Sequence, residues 1–122
     1  SAASDVYKRQ VSYILEKVRQ NDTTDSISLA TLEDTPALCM LSRIEDETYC
    51  TYLYFYDGHL KELFMREGTS LGGQVLPAGT DIMELKDLTF SYVSNDLIRA
   101  SLQTVSGEFH TFYIHIHCNA TE

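Results

Sequence analysis

The sequence predicts an α+β domain in which one N-terminal amphipathic helix packs on an antiparallel meander sheet. Three observations predict it: one stretch of helical apolar periodicity within residues 1–21, strand-like runs over residues 26–118, and turn signals between those runs. The chain has 122 residues, 43% of them hydrophobic, which suffices for a single core without disulfide or metal staples. Residues 1–122 therefore read as one domain.

The helix comes first. Tyr7, Val11, Ile14 and Val18 recur at steps of four, three and four, with Leu15 beside them, so one apolar stripe faces a core while Lys8, Arg9, Glu16, Lys17 and Arg19 stay solvated. Ser4 or Asp5 is suited to cap its start, and Asn21-Asp22-Thr23-Thr24-Asp25 is a polar connector rich in turn formers. No later segment has a convincing helical period.

Strands follow. Ile27 and Leu29 alternate with Ser26 and Ser28; Ala37 to Ile44 is an apolar run after an Asp34-Thr35-Pro36 turn; Tyr49 to Tyr56 is aromatic and β-favouring. Asp57-Gly58, between Tyr49–Tyr56 and Leu60–Arg66, is a two-residue hairpin turn, because type I′ geometry requires positive φ at both central positions. Glu67 to Asp81 holds four glycines and Pro77 without periodicity and reads as a long surface loop.

The last forty or so residues fix a register. A three-residue loop Val105-Ser106-Gly107 with Gly107 left-handed sets Leu102 opposite His110, Ala100 opposite Phe112 and Ile98 opposite Ile114. The same loop length at Ser94-Asn95-Asp96 sets Phe90 opposite Ala100 and Tyr92 opposite Ile98. Leu88, Phe90, Tyr92, Ile98, Ala100, Leu102, Phe112, Ile114 and Ile116 then share an oily face, and Arg99, Tyr113, His115 and His117 lie on the polar one.

Charge narrows the functional classes. Eighteen acidic against nine basic residues give a net charge of -9, which disfavours contact with a nucleic-acid backbone. Residues 1–20 carry a local balance of +2 and the remainder -11, a distribution that keeps the bulk of the chain solvated. No stretch approaches the ~20 apolar residues of a membrane span. Cys39, Cys50 and Cys118 are odd in number, lack CxxC spacing and sit in apolar runs, where buried inert thiols are expected; whether Cys39 and Cys50 approach closely enough to bond stays open.

Candidate chemistry is sparse. His115-x-His117 places two imidazoles on one side of a strand, a weak metal-site candidate with His110 or His59 as a third ligand, although the register puts His110 on the other face. Solvated histidines on a polar face are the better reading, and no metal or cofactor is expected. Glu45-Asp46-Glu47 lies between strand-like runs as a charged hairpin tip and lacks calcium-loop spacing. Gly68, Gly72 and Gly73 are followed by neither a Lys-Ser/Thr pair nor a helix, so they make no phosphate loop. There is no GxSxG elbow, Leu76-Pro77-Ala78-Gly79-Thr80 resembles a sortase signal with its last two residues reversed, and two glycosylation sequons begin at Asn21 and Asn119. Tyr52, Tyr54 and Tyr56 share one strand face with Cys50, a possible interaction surface for a partner or sugar, against which stands ordinary strand-former usage.

Helix-first order, the helix VSYILEKVRQND, the hairpin YCTYLYFYDGHLKELF and the C-terminal pattern IMELKDLTFSYVSNDLIRASLQTVSGEFHTFYIHIH resemble the soluble domain of a type IV pilin-like minor pseudopilin. The resemblance covers nearly the whole chain and is nearest to an uncharacterised pilin-like family of Gram-positive bacteria. It implies a pilin-like fold and a non-enzymatic, extracytoplasmic assembly subunit of a pilus-like, competence or secretion system. Its partners would be other pilin-like subunits, and it would reach the membrane through a hydrophobic N-terminal segment absent from this chain, residues 1–21 being the soluble half of that anchor helix. The alternative from another class is a small extracytoplasmic ligand- or metal-binding module.

Overall fold

The computed structural model describes residues 2–21 and 26–116, with side chains from Tyr7 onward. Helix α1 runs Ala2–Gln20, so Ser4 and Asp5 stand inside it rather than ahead of it. Ile14 and Val18 are buried, and Tyr7, Val11 and Tyr13 pack against the same core, as the stripe requires. Leu15 instead faces solvent, and the buried polar Gln10 takes part of the inner face. The last turn carries Lys17 and Arg19, which suit the negative end of the helix dipole, and the Asn21 side chain donates to the Lys17 carbonyl at 2.9 Å.

Eight strands follow: β1 Ile27–Leu32, β2 Thr35–Ile44, β3 Glu47–Tyr56, β4 His59–Arg66, β5 Thr80–Glu84, β6 Asp87–Ser94, β7 Leu97–Gln103 and β8 Phe109–His115. All neighbours are antiparallel, and the loop expected over 67–81 contains a four-residue helix, α2 Val75–Ala78, and the start of β5.

The expected helix on one meander sheet, the pilin-like arrangement, is not what forms. The strands divide into a five-stranded sheet β1-β2-β3-β4-β5 and a three-stranded sheet β6-β7-β8, making the protein mostly antiparallel β. The division falls between adjacent residues: the Leu85 amide donates to the Gly58 carbonyl in the first sheet at 3.0 Å, and the Lys86 amide donates to the Gln103 carbonyl in the second at 2.8 Å. Strand β6 then lies across β1, β2 and β3 rather than beside β5. A single helix covers too little of the oily face of β6–β8; that face packs instead on Leu38, Met40, Leu53 and Leu60 of the larger sheet, with Ile14 and Val18 in the same core.

The register argument holds in its core positions. Leu102 pairs with His110, Ala100 with Phe112, Ile98 with Ile114, Phe90 with Ala100 and Tyr92 with Ile98, and Gly107 is left-handed at φ 97°. The first of the two turns differs, because an irregularity between Tyr92 and Ser94 joins a shorter Asn95-Asp96 turn and turns Tyr92 outward, where its hydroxyl accepts from the Leu29 amide at 3.0 Å.

Three successive hairpins share one geometry. Asp57-Gly58 has the expected pair of positive φ angles, 52° and 76°, and Glu33-Asp34 (47°, 69°) and Glu45-Asp46 (51°, 70°) adopt the same type I′ form without glycine. Asp34 is thus part of the turn tip, while Thr35 and Pro36 already belong to β2. A glutamate at positive φ costs roughly 1 kcal/mol relative to glycine or asparagine. The double change Glu45→Asn with Asp46→Gly is expected to raise unfolding stability by about 1 kcal/mol in chemical denaturation, with an unchanged denaturant slope.

Candidate functional site

The face of the larger sheet that points away from the common core gathers most of the chemically distinctive side chains. Strand alternation brings Cys39, Cys50, Tyr52, Tyr54 and Tyr56 to this face, and pairing across β3–β4 adds His59 opposite Tyr56, Lys61 opposite Tyr54, Leu63 opposite Tyr52 and Met65 opposite Cys50. The predicted grouping of Tyr52, Tyr54 and Tyr56 with Cys50 is present. Only its margins, Tyr52 and Tyr56, keep partial exposure.

Tyr54 has no solvent exposure at all. Its hydroxyl donates to the carbonyl of Leu76 at 2.8 Å, with that of Val75 at 3.3 Å, and Ala37, Leu63, Leu71, Val75 and Leu76 close around its ring. Burial, the leading cause, holds its phenol above the ordinary value. The segment after β4 is therefore a roof over a second, smaller core. Gly79 marks where it comes down: a side-chain carbon there would collide with the Tyr54 hydroxyl. Tyr52 and Tyr56 remain half-buried at the margins, and Lys61 passes within 5.8 Å of the Tyr56 ring centre.

Lys61 is buried and pairs with Asp81 of β5 at 2.8 Å, and His59 Nε2 stands 3.9 Å from the same carboxylate. The hydrogen bond from Lys61 is the main reason the Asp81 carboxyl lies below its usual range, His59 adding to it. The irregularity in pairing between Leu60 and Lys61 sets Lys61 opposite Asp81. No local sequence signal announces this pair, since it depends on a bulge in a strand whose first two residues, Thr80 and Asp81, read as loop.

His115 is exposed on the polar face of the smaller sheet, while His110 lies on its inner face with its ring 3.5 Å from that of Tyr7. His117, Cys118 and the sequon at Asn119 lie outside the described residues, as does most of the sequon that begins at Asn21. Glu45 and Asp46 form the hairpin tip expected of them. Among the described residues no three His, Cys, Asp or Glu side chains converge on a metal position, and no helix is long and apolar enough to cross a membrane.

These features define a mostly antiparallel β-protein of two packed sheets with an N-terminal helix docked against both. Over residues 7–105 the chain matches the family described as Domain of unknown function (DUF4860), and it belongs to that family. No curated protein and no solved structure matches it.

Tyr54→Phe is expected to lower stability by about 1–2 kcal/mol by leaving the Leu76 carbonyl without its donor, and Gly79→Ala by at least as much through the collision, both read by denaturant titration. Because the carboxyl of Asp81 is depressed in the folded state, its contribution is complete at neutral pH and is lost as pH falls through that lowered value. An NMR titration is expected to place the Asp81 midpoint below the ordinary aspartate range, and Lys61→Met to return it toward that range.

Proposed function

We propose that this domain is a non-enzymatic, extracytoplasmic structural or assembly subunit of a type IV pilus-like, competence- or secretion-type pseudopilus system. The observation that carries the reading is the coupling of the N-terminal helix to both sheets of the head. Tyr13 donates a hydrogen bond to Glu62 of β4, and Lys17 pairs with the other oxygen of the same carboxylate at 3.1 Å. Burial and then the Glu62 hydrogen bond hold the Tyr13 phenol protonated well above its ordinary range. Tyr7, two turns earlier, stacks on His110 of β8 at an interplanar angle of 19°.

Two long-range polar contacts on one glutamate and an aromatic stack on the far sheet are more than a helix needs merely to cover a core. They fix its direction as well as its position. In this reading the helix is the element by which neighbouring pilin-like subunits are contacted and by which the head is carried outside a membrane, through a hydrophobic segment encoded upstream of the helix. The head is acidic and solvated; its two-sheet form differs from a single pilin-like meander, so support comes from helix-first order and helix coupling rather than from the sheet.

The upstream reading frame is expected to encode about 20 consecutive apolar residues, and the full-length protein to fractionate with membranes and with sheared filaments. An upstream frame lacking such a segment sinks the reading. Glu62→Ala is expected to cost about 1–2 kcal/mol of stability in the isolated domain and to lower recovery of the full-length protein in the filament fraction, with both sheets retained by circular dichroism.

A further inference from the structure

Where α1 meets β8, two polar side-chain atoms are buried without partners. Nε2 of His110 and Oε1 of Glu108 are both shielded from solvent, and neither has a hydrogen-bond partner among the described residues. They stand 3.8 Å apart, inside ion-pair range and outside hydrogen-bond range. Buried polar atoms in folded proteins are nearly always paired, so this couple requires a reason. The rest of each side chain keeps some exposure, 25% for His110 and 38% for Glu108, so a proton reaches the pair from solvent.

Both residues are held in place by their own elements. Glu108 directly precedes β8, and its backbone is tied twice to the fully buried Thr104: the Thr104 amide donates to the Glu108 carbonyl at 2.9 Å, and the Glu108 amide donates to the Thr104 hydroxyl at 3.1 Å. His110 follows two residues on, and its ring is stacked on that of Tyr7 with centroids 3.5 Å apart. The imidazole therefore meets a carboxylate at its edge and an aromatic ring on its face, and both groups favour a cation. Of the elements packed against it, β7 sets the apolar Leu102 opposite His110, while α1 contributes Tyr7, with the neutral Gln10 buried one turn on and Lys8 and Arg9 exposed.

We propose that this contact is a pH-dependent fastener, in which a proton on His110 locks the start of α1 to β8 and loss of that proton loosens it. Protonation makes both ring nitrogens donors, so Nε2–H closes on Oε1 of Glu108 as a charge-assisted bond and the cation lies against the Tyr7 ring. Without the proton, the carboxylate has no counter-charge here and the stack keeps only its neutral attraction. The fastening is complete at mildly acid pH and is lost as pH rises through the range in which imidazoles give up their proton; stronger acid removes it again by protonating carboxylates. The Glu62 clamp lies farther along α1 and shares none of these groups, so the device acts on the start of the helix. The inference concerns the folded domain alone and stands or falls separately from the assembly reading.

The test is hydrogen exchange of the α1 amides from Tyr7 to Ile14, read by mass spectrometry on the full chain and corrected for intrinsic rates, at about pH 8 and about pH 5.5. Relative to the β2 and β3 amides, protection of this stretch is expected to rise about threefold on acidification in the wild type and to stay level in Glu108→Gln, which keeps the shape and removes the charge. His59→Gln, which removes an imidazole from the other sheet, is expected to keep the wild-type response. A double-mutant cycle of Glu108→Gln with His110→Gln in denaturant titration is expected to show a coupling of about threefold in the unfolding constant at the acid pH and none at the alkaline one. A wild-type helix whose protection does not rise with acid, a wild-type response in Glu108→Gln, loss of the response in His59→Gln, or a coupling that is the same at both pH values overturns the proposal. If His110→Gln does not fold, the exchange of Glu108→Gln decides alone.

Discussion

A sheet that is apolar on both faces has to be covered on both, and this requirement organises the molecule. Leu38, Met40, Leu53 and Leu60 make one face of the larger sheet oily, while Ala37, Tyr54 and Leu63 make the other so. Antiparallel sheets more often keep one face wet. The first face is covered by the smaller sheet together with α1, and the second by the chain's own segment between β4 and β5. Both covers follow from strand alternation in β2, β3 and β4, whose successive residues are apolar on either side.

Much of the local structure was readable. Gly107, Asp57-Gly58 and the alternation in the last forty or so residues state their geometry within a few positions, and the pairings from Phe90 to Ile114 follow from them. The acidic turns Glu33-Asp34 and Glu45-Asp46 are harder, because nothing about glutamate favours positive φ; there the paired strands on either side, six and ten residues long at the first turn and ten each at the second, impose the turn. The split into two sheets was not readable at all. It depends on two amides, at Leu85 and Lys86, choosing carbonyls in different sheets, and on the amount of oily surface available elsewhere. Reading the helix and the C-terminal sheet as each other's only partner missed the second apolar surface offered by Leu38 and Leu53.

The site divides in the same way. Strand period alone grouped Tyr52, Tyr54 and Tyr56, but their accessibility was decided by a segment with no periodicity. Glu62 is a sharper case. In sequence it is one polar residue in LKELF, yet it receives both Tyr13 and Lys17 across 49 and 45 residues of separation, at the point where the helix meets the larger sheet. The shared face of Cys39 and Cys50 is intermediate, since two residues eleven apart on facing strands can be registered only once the turn between them is known to have two residues.

The helix is made first and satisfied last. During synthesis from the N-terminus, Tyr13 and Lys17 emerge well before Glu62, and Tyr7 before nearly the entire chain that leads to His110. The hairpins close locally and quickly as each turn appears, because every strand pairs with its immediate predecessor within its own sheet. The core around Ile14 and Val18 therefore stays incomplete until β8 has been translated. For most of the synthesis of these residues the helix is amphipathic without its complete head to bind, open to capture by whatever apolar surface or chaperone reaches it first.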